Sequence, residues 1–375
     1  MYSRKIRKRI EKWLKKPEVI IIYGARQTGK TTLLKMLLNN RTDSLLLNCE
    51  MPNVATLMES KDISALTALF SGKKIIAFDE AQVIPNIGKL LKLIYDEMPE
   101  FKIVATGSSS FDLASRLGEP LTGRNIKFRL FPLSIEEIKE KNGWLWVLNQ
   151  LNTLLVFGSY PGIIDINTTD KIEKLYTLSS DYLYKDIFAY ERIKNPAIIR
   201  NLLKALALQV GSQVSTNELS RLLGISRQLV NMYLEILERN FIIFSLESFS
   251  TNMRNEIKKS KKYFFYDNGI LNATIGSFNL IHQRTDTGKL WENFCISERI
   301  KFNQNGNRFT NHYFWRTYDG AEIDLIEETN GALKAYEFKF GKKKNRHIPK
   351  SFSSKYGVNN LTLITPENLH LLITE

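Results

Sequence analysis

Residues 24–31 have the spacing of a loop that binds phosphate groups. Their sequence, GARQTGKT, fits the pattern G-x-x-x-x-G-K-[ST], follows the apolar run Val19–Tyr23 and precedes a helical stretch. Glycines let backbone N–H groups turn toward phosphate oxygens, Lys30 would neutralise the β- and γ-phosphates, and the Thr31 hydroxyl would ligate Mg²⁺. The pattern indicates binding of a magnesium nucleotide by Gly24, Ala25, Gln27, Thr28, Gly29, Lys30, Thr31 and Thr32.

Two carboxylates follow a second apolar run. Residues 73–80, KKIIAFDE, end in Asp79 and Glu80. Asp79 would hold Mg²⁺ through water, and Glu80 would polarise the water molecule that attacks the γ-phosphate. Alone, such a pair is typical of a solvated loop. At this distance after a phosphate loop, the pair predicts hydrolysis of ATP.

Ser108 and Arg124 are two further candidates for the same site. Small hydroxyl residues at 108–110 follow a third apolar run, and we choose Ser108 as a sensor of the γ-phosphate. A plain serine-rich turn fits equally well. Arg124 would supply positive charge to the transferring phosphoryl group, in the same chain or in a neighbouring subunit. A surface arginine is the alternative.

An α/β sheet is expected to position these residues. Short apolar runs occur at residues 19–23, 44–48, 74–78, 101–106 and 126–130. They alternate with helical stretches, which is typical of buried strands in an open, mainly parallel sheet. An amphipathic helix is predicted over residues 3–15.

Several segments resemble a prokaryotic family of AAA-like ATPases. The similar segments are residues 24–32, 78–82, 105–109, 123–124, 131–136, 158–162 and 184–186. Members of the family join the ATPase module to a C-terminal domain of unknown function. The resemblance implies a P-loop fold of the additional-strand type and binding of ATP, and it leaves the biological substrate open.

Residues 214–240 have the pattern of a helix-turn-helix. Two helical stretches meet at Gly224, and a strand-like run at 241–246 would form the wing of a winged helix. Acidic and basic residues balance in this segment, so a surface for a protein partner is the alternative to DNA binding. In a DNA-reading version, the residues that enter the major groove are Arg227, Gln228 and Asn231.

A hairpin near the C-terminus carries acidic residues. Asn330-Gly331 is a typical two-residue turn, and an antiparallel pair closed by it places Asp324 opposite Glu337 and Glu322 opposite Lys339. Like charges in direct opposition are unfavourable unless a bound cation or a nearby lysine offsets them.

This hairpin resembles the Asp…Glu-x-Lys site of restriction-endonuclease-like proteins. The resemblance implies that Asp324 and Glu337 ligate Mg²⁺ and that Lys339 assists the attacking water or the scissile phosphate. Glu292 matches an additional acidic residue on the first helix of many such domains. The alternatives are a hairpin with a Glu322–Lys339 ion pair and a nuclease-like fold that has lost cleavage.

Length and composition indicate several domains. The chain has 375 residues, of which 43% are hydrophobic and 25% charged, which is ordinary globular usage. We expect an α/β protein with an AAA-like P-loop ATPase domain at residues 1–142, a helical lid or connector at 143–196, a winged-helix domain at 197–255 and a restriction-endonuclease-like α/β domain at 256–375.

Charge and cysteine content bear on partners and location. The net charge of +14 favours polyanions such as nucleic acid. Cys49 and Cys295 lie far apart, and no apolar run is long enough for a membrane span, so we expect a cytoplasmic protein without membrane association, and a homo-oligomer is possible. The sequence predicts a Mg²⁺-dependent ATPase coupled to a nuclease-like domain on or near nucleic acid. The alternative is an ATP-controlled scaffold with an inactive C-terminal domain.

Overall fold

The computed structural model describes residues 1–108, 121–181, 195–250, 261–317, 319–341 and 347–374. The chain divides into two compact units. The first unit comprises residues 1–132 and 239–241, and the second unit comprises residues 133–238 and 242–375. Across these described ranges, none of the helices combines the length and the apolarity needed to cross a bilayer. Cys49 and Cys295 are both buried and carry no disulfide bond.

The first unit is built on a parallel sheet. Its strands are Val19–Tyr23 (β1), Ser44–Asn48 (β2), Ile75–Asp79 (β3), Lys102–Gly107 (β4) and Asn125–Arg129 (β5). The order is β2-β3-β4-β1-β5, and every paired neighbour runs parallel. The predicted parallel α/β sheet is therefore confirmed, with each strand within one residue of its expected position. β2 and β5 are less buried than the central strands, because they form the two edges of the sheet.

Helices cover both faces of this sheet. They are Arg7–Trp13 (α1), Lys30–Leu38 (α2), Pro52–Ser60 (α3), Ile63–Phe70 (α4) and Ile87–Glu97 (α5), with a 3-10 turn at Ala81–Val83. Successive residues of β1 enter opposite cores. Ile21 packs in one apolar cluster with α5, and Ile22 packs in the other with α1 and α2. A central strand buried on both faces explains why the run at 19–23 has no polar alternation.

The second unit begins with short helices. They are Ile135–Asn142 (α6), Trp144–Asn149 (α7), Leu151–Phe157 (α8), Pro161–Ile164 (α9) and Thr168–Asp181 (α10). Ser134 caps α6 in a capping box with Glu137. Gly158 ends α8 with a φ of 71°, and a Cβ atom there would lie 2.0 Å from Asp267 Oδ1, so only glycine fits. The similar segment at 184–186 lies outside the described residues.

Among its described residues, the helix-turn-helix region has three helices and three strands. They are Pro196–Leu208 (α11), Gln213–Val214 (β6), Thr216–Leu223 (α12), Arg227–Arg239 (α13), Ile243–Ser248 (β7) and Lys261–Phe265 (β8). Gly224 ends α12 in the left-handed conformation, with a φ of 65°. β8 pairs antiparallel with both β6 and β7. The strand expected at 241–246 begins two residues later, at Ile243.

The C-terminal part extends this sheet. Its elements are Asn268–Ile275 (α14), Thr287–Asn305 (α15), Asn311–Arg316 (β9), Glu322–Thr329 (β10), Ala332–Phe338 (β11), Lys350–Tyr356 (α16) and Leu361–Ile364 (β12), with 3-10 turns at Ile281–Gln283 and Pro366–Ile373. The strand order is β12-β11-β10-β9-β7-β8-β6. Leu325 pairs with Tyr336 across β10 and β11. This is the register that the Asn330-Gly331 turn predicts.

Candidate functional site

The loop after β1 has the backbone of a phosphate cradle. Gly24 lies very close to the backbone directly after β5. A Cβ atom on Gly24 would lie 2.2 Å from the carbonyl oxygen of Leu130. Gly29 has a φ of 96°, which strongly favours glycine, and α2 begins directly after it. Gln27 is exposed and also has a positive φ, of 57°. The loop therefore delivers the N-terminus of a nine-residue helix to the carboxyl end of β1.

Lys30 is held by the carbonyl groups of this loop. Its Nζ donates to the oxygens of Gly24 and Ala25 at 3.1 Å each, and the side chain is buried. The Thr28 hydroxyl also donates to the Ala25 oxygen, at 2.8 Å. An ammonium group inside a curved loop of backbone donors suits a ligand with several phosphates. Of the remaining loop residues, Thr31 is half-buried and Thr32 is exposed.

Arg4 supports the loop from the N-terminal segment, and the sequence analysis missed it. Its Nη1 donates to the carbonyl of Thr28 at 2.6 Å, and its Nη2 donates to the carbonyl of Phe131 at 2.6 Å. The arginine is buried, with 6% of its surface exposed. It looked like one of several basic residues on the polar face of an N-terminal helix, because the sequence does not indicate that a loop 24 residues away covers it.

Asp79 lies at the same end of the strands as the phosphate loop. β1, β3 and β4 run parallel, so their carboxyl ends meet there. Asp79 is buried, and its Oδ1 accepts the hydroxyl hydrogen of Thr106 at 2.5 Å. The Thr106 hydroxyl accepts in turn from the backbone N–H of Glu80, at 3.1 Å. Thr106, a second residue that the sequence analysis left without a role, thus fixes both acidic residues relative to β4.

Glu80 and Ser108 are connected through Gln82. The Gln82 Nε2 donates to Glu80 Oε2 at 2.6 Å, and the backbone N–H of Ser108 donates to Gln82 Oε1 at 3.3 Å. Glu80 has a φ of 52°, which turns the chain sharply at the end of β3. Ser108 is buried at the end of β4. The serines at 109 and 110 lie outside the described residues.

Arg124 lies at the amino ends of the strands, so the structure does not bring it together with the phosphate loop of the same chain. Its carbonyl accepts the N–H of Val19 at the start of β1, whereas the phosphate loop follows the end of β1. The five residues of β1 separate the amino end of the strand from its carboxyl end by about 16 Å. The Arg124 guanidinium pairs with Asp96 on α5, with Nε 2.9 Å from Oδ1. A role toward a neighbouring subunit and a plain surface arginine are both compatible with this position.

The residues at the carboxyl ends of β1 and β3 fit a magnesium nucleotide. Oxygen ligands such as the Thr31 hydroxyl and the Asp79 carboxylate suit Mg²⁺, which is commonly held by one or two protein groups together with phosphates. The close approach at Gly24 and the buried ammonium of Lys30 shape the loop for phosphate oxygens. The described residues contain no group of three His, Cys, Asp or Glu side chains that would bind a metal without such help.

The acidic pair of the C-terminal hairpin lies in the second unit. Asp324 is on β10, and its Oδ2 accepts the backbone N–H of Phe338 at 2.9 Å. Burial raises the pKa of Asp324 to about 6, and Glu337 on β11 acts in the same direction. Glu337 is fully buried and lies 3.0 Å from Lys339 Nζ. The structure therefore brings together Asp324, Glu337 and Lys339.

Glu292 joins this cluster through Lys262, a residue to which the sequence alone assigned no role. Lys262 on β8 is buried, lies 3.4 Å from Glu292 Oε1 and forms a hydrogen bond with Glu322. Burial raises the pKa of Glu292 to about 8; Lys262 opposes this rise, while Asp324 and Glu322 add to it. The expected ion pair between Glu322 and Lys339 does not form, because each of these residues contacts a nearer partner.

The candidates on the helix-turn-helix share one surface. Arg227, Gln228 and Asn231 lie on the first turns of α13, are exposed and line one recess. The opposite face of α13, including Val230 and Leu234, is buried. The helix therefore presents polar side chains to solvent at the end that a DNA-reading helix uses.

Three family models match successive parts of the chain. A family model described as an AAA domain matches residues 16–139. Two models described as domains of unknown function, DUF8612 and DUF4143, match residues 148–280 and 287–373. An uncharacterized protein of Methanocaldococcus jannaschii is 28% identical over 358 residues, with 85% of this chain and 78% of that protein covered. An uncharacterized protein of Mycobacterium tuberculosis is 27% identical over 337 residues, with coverage of 88% and 72%.

A solved structure supports the fold. The Walker-type ATPase of Pyrococcus abyssi superposes with a TM-score of 0.51 at 18% identity, over 73% of this chain and 96% of that one. At this identity the similarity concerns the fold. Together with the phosphate loop and the acidic end of β3, these matches show that the N-terminal part of the chain is an AAA-like domain with the P-loop ATPase fold.

Proposed function

We propose that the protein is a Mg²⁺-dependent ATPase whose chemistry takes place at the phosphate-loop edge of the first unit. One observation carries the proposal: Lys30, Asp79 and Glu80 lie at the carboxyl ends of the parallel strands. Lys30 follows β1, Asp79 ends β3 and Glu80 comes directly after it. A cationic loop and an acidic strand end on the same edge are the parts that ATP hydrolysis requires.

Each side chain has a separate task in this proposal. Lys30 balances the negative charge of the β- and γ-phosphates after exchanging its contacts with loop carbonyls for phosphate oxygens. Thr31 and Asp79 hold Mg²⁺, which when bound neutralises charge on the phosphates. Glu80 accepts a hydrogen bond from the attacking water and orients it. Thr106 keeps Asp79 and the backbone of Glu80 in fixed positions.

Nucleotide binding by a lysine variant tests the proposal. Lys30→Ala should abolish binding of ATP and ADP in calorimetry, because the loop loses its cation. Lys35→Ala is the matched control, since Lys35 is an exposed lysine on the same helix, α2, and its removal should leave the Kd unchanged. Equal binding by both variants and the wild type would refute the assignment of the loop.

We propose in addition that α13 contacts nucleic acid. The order of α11, β6, α12, α13, β7 and β8, with β8 paired between β6 and β7, supports a winged helix. The exposed residues Arg227, Gln228 and Asn231 support α13 as its reading helix. The net charge of +14 favours association with a polyanion.

Fluorescence anisotropy with labelled DNA and RNA tests this second proposal. Arg227→Ala should weaken binding several-fold at low salt and reduce its salt dependence by about one phosphate contact. Lys204→Ala removes an exposed charge from α11 and serves as the control. Binding that is absent, or insensitive to salt, would favour the alternative of a protein partner for this surface.

A further inference from the structure

We infer that the ammonium group of Lys262 is a built-in cation of the acidic cluster in the second unit, where a nuclease of this type would hold a divalent metal. The acidic cluster consists of Glu292, Glu322, Asp324 and Glu337. The inference goes beyond the proposed ATPase and concerns a different unit. Its consequence is that the C-terminal part binds its partners without metal-dependent cleavage.

The order of elements is the reason to compare this region with a metal-dependent nuclease. A helix, three strands, a second helix and a fourth strand follow one another as α15, β9, β10, β11, α16 and β12. Asp324 lies on β10, and Glu337 lies beside it on β11. In a nuclease, carboxylates at such a position would share a divalent cation.

Lys262 reaches the acidic cluster from an element outside that set. It lies on β8, whereas Glu322 begins β10 and Glu292 lies on α15. Its Nζ forms a hydrogen bond with Glu322, lies 3.4 Å from Glu292 Oε1 and lies 5.2 Å from the centre of the Phe314 ring. Only 2% of the Lys262 side chain is exposed. One buried positive charge therefore balances carboxylates from two different elements.

The second oxygens of Glu322 and Glu292 also lie beside groups of the protein. Arg316 Nε lies 3.9 Å from the second oxygen of Glu322. The backbone at Gly211 covers the second oxygen of Glu292, since a Cβ atom on Gly211 would lie 2.9 Å from Glu292 Oε2. Both carboxylates are thus committed to groups of the protein.

The central pair is committed in the same way. Asp324 accepts the backbone N–H of Phe338, and Glu337 pairs with Lys339 at 3.0 Å. A divalent cation needs several oxygens that converge on one open point. No three acidic, histidine or cysteine side chains converge in that manner within the described ranges. The residues of this cluster fit an internal lysine better than they fit Mg²⁺.

Removal of Lys262 should convert the acidic cluster into a metal site. Glu292 and Glu322 keep 16% and 28% of their side-chain surface exposed, so a cation from solvent can reach them. Lys262→Met removes the buried cation that Glu292 and Glu322 share and leaves Glu322 with the longer contact to Arg316, which is costly for partly buried carboxylates. A divalent cation would offset that cost, so the variant should gain affinity for Mn²⁺.

In the experiment, the full-length chain is titrated with Mn²⁺ in the absence of nucleotide, and calorimetry measures the affinity. Every protein carries Asp79→Asn, which removes the proposed metal ligand of the first unit and makes the result independent of the ATPase proposal. Lys262→Met should bind Mn²⁺ at least ten-fold more tightly than the chain with Lys262, and adding Glu292→Gln should remove the gain. Lys262→Arg keeps the charge and is the control that should show no gain.

Two results would overturn the inference. The first is Mn²⁺ binding by the chain with Lys262 that Asp324→Ala or Glu337→Ala removes. The second is a folded Lys262→Met variant with no gain in Mn²⁺ affinity. Should the methionine variant fail to fold, Lys262→Gln provides the same test, because its amide retains a hydrogen bond to Glu322 while the charge is lost.

Discussion

Gln82 Nε2 lies 2.6 Å from Glu80 Oε2, and this contact holds the carboxylate that we assign to the attacking water. The other end of the same amide accepts the N–H of Ser108, at the end of β4. Gln82 therefore ties the orientation of Glu80 to the strand that separates β1 from β3. A fixed carboxylate is worth more to catalysis than a mobile one, because the attacking water must be aligned before the reaction.

Gln82→Ala should lower kcat for ATP hydrolysis about ten-fold with little change in KM, since Gln82 orients Glu80 and does not contact the phosphate loop. Steady-state kinetics measures both constants. Val83→Ala alters an exposed neighbour and is the control. A kcat that stays the same or rises in Gln82→Ala would contradict the positioning role.

Arg4→Ala should raise the Kd for ATP about ten-fold, because two charge-assisted hydrogen bonds that shape the loop are lost. Calorimetric titration provides the Kd. Arg7→Ala is the matched control, since Arg7 is a half-buried arginine at the start of α1 that pairs with Glu11. Unchanged affinity in Arg4→Ala would mean that the loop keeps its shape without the N-terminal segment.

Arg124→Ala should leave hydrolysis unchanged in dilute protein, because Arg124 lies at the far edge of the sheet and pairs with Asp96. Single-turnover kinetics over a range of protein concentrations provides the test. A defect confined to high concentrations would indicate that Arg124 acts on a neighbouring subunit. A loss of more than ten-fold in dilute protein would contradict its placement.

Asp324→Asn should stabilise the second unit at pH 8 and have little effect at pH 4. Folding raises the pKa of Asp324 to about 6, so the protonated carboxyl favours the folded state, and this stabilisation is lost as the pH rises through 6. Asparagine stays neutral and still accepts the N–H of Phe338. We expect a rise in Tm on the order of 5 °C at pH 8. Asp319→Asn, the same change at an exposed aspartate of the second unit, is the control. A difference in Tm that does not depend on pH would argue against a raised pKa.

Some elements could be predicted from the sequence because a short local pattern determines them. The apolar run at β1 predicts a central strand, and the two-residue turn at Asn330-Gly331 predicts the register of β10 and β11. Arg4 and Lys262 could not be predicted in the same way. Their partners lie 24 and 60 residues away, and each resembles an ordinary surface charge until the fold brings its partner near.

Arg124 shows a different limit of sequence reasoning. An arginine near a P-loop domain offers positive charge to a transferring phosphoryl group, which is why Arg124 was a candidate. The role depends on which end of the sheet the residue occupies. Arg124 directly precedes β5, and the parallel pairing of β5 with β1 places it at the amino ends of the strands.

Single-turnover hydrolysis of ATP by Glu80→Gln tests the central claim most directly. The variant keeps the shape of the side chain and the loop that binds phosphate, so it should bind ATP with the affinity of the wild type. Hydrolysis should be at least about 100-fold slower, because the carboxylate that orients the water is lost. Hydrolysis at the rate of the wild type, with ATP bound at the phosphate loop, would contradict the account.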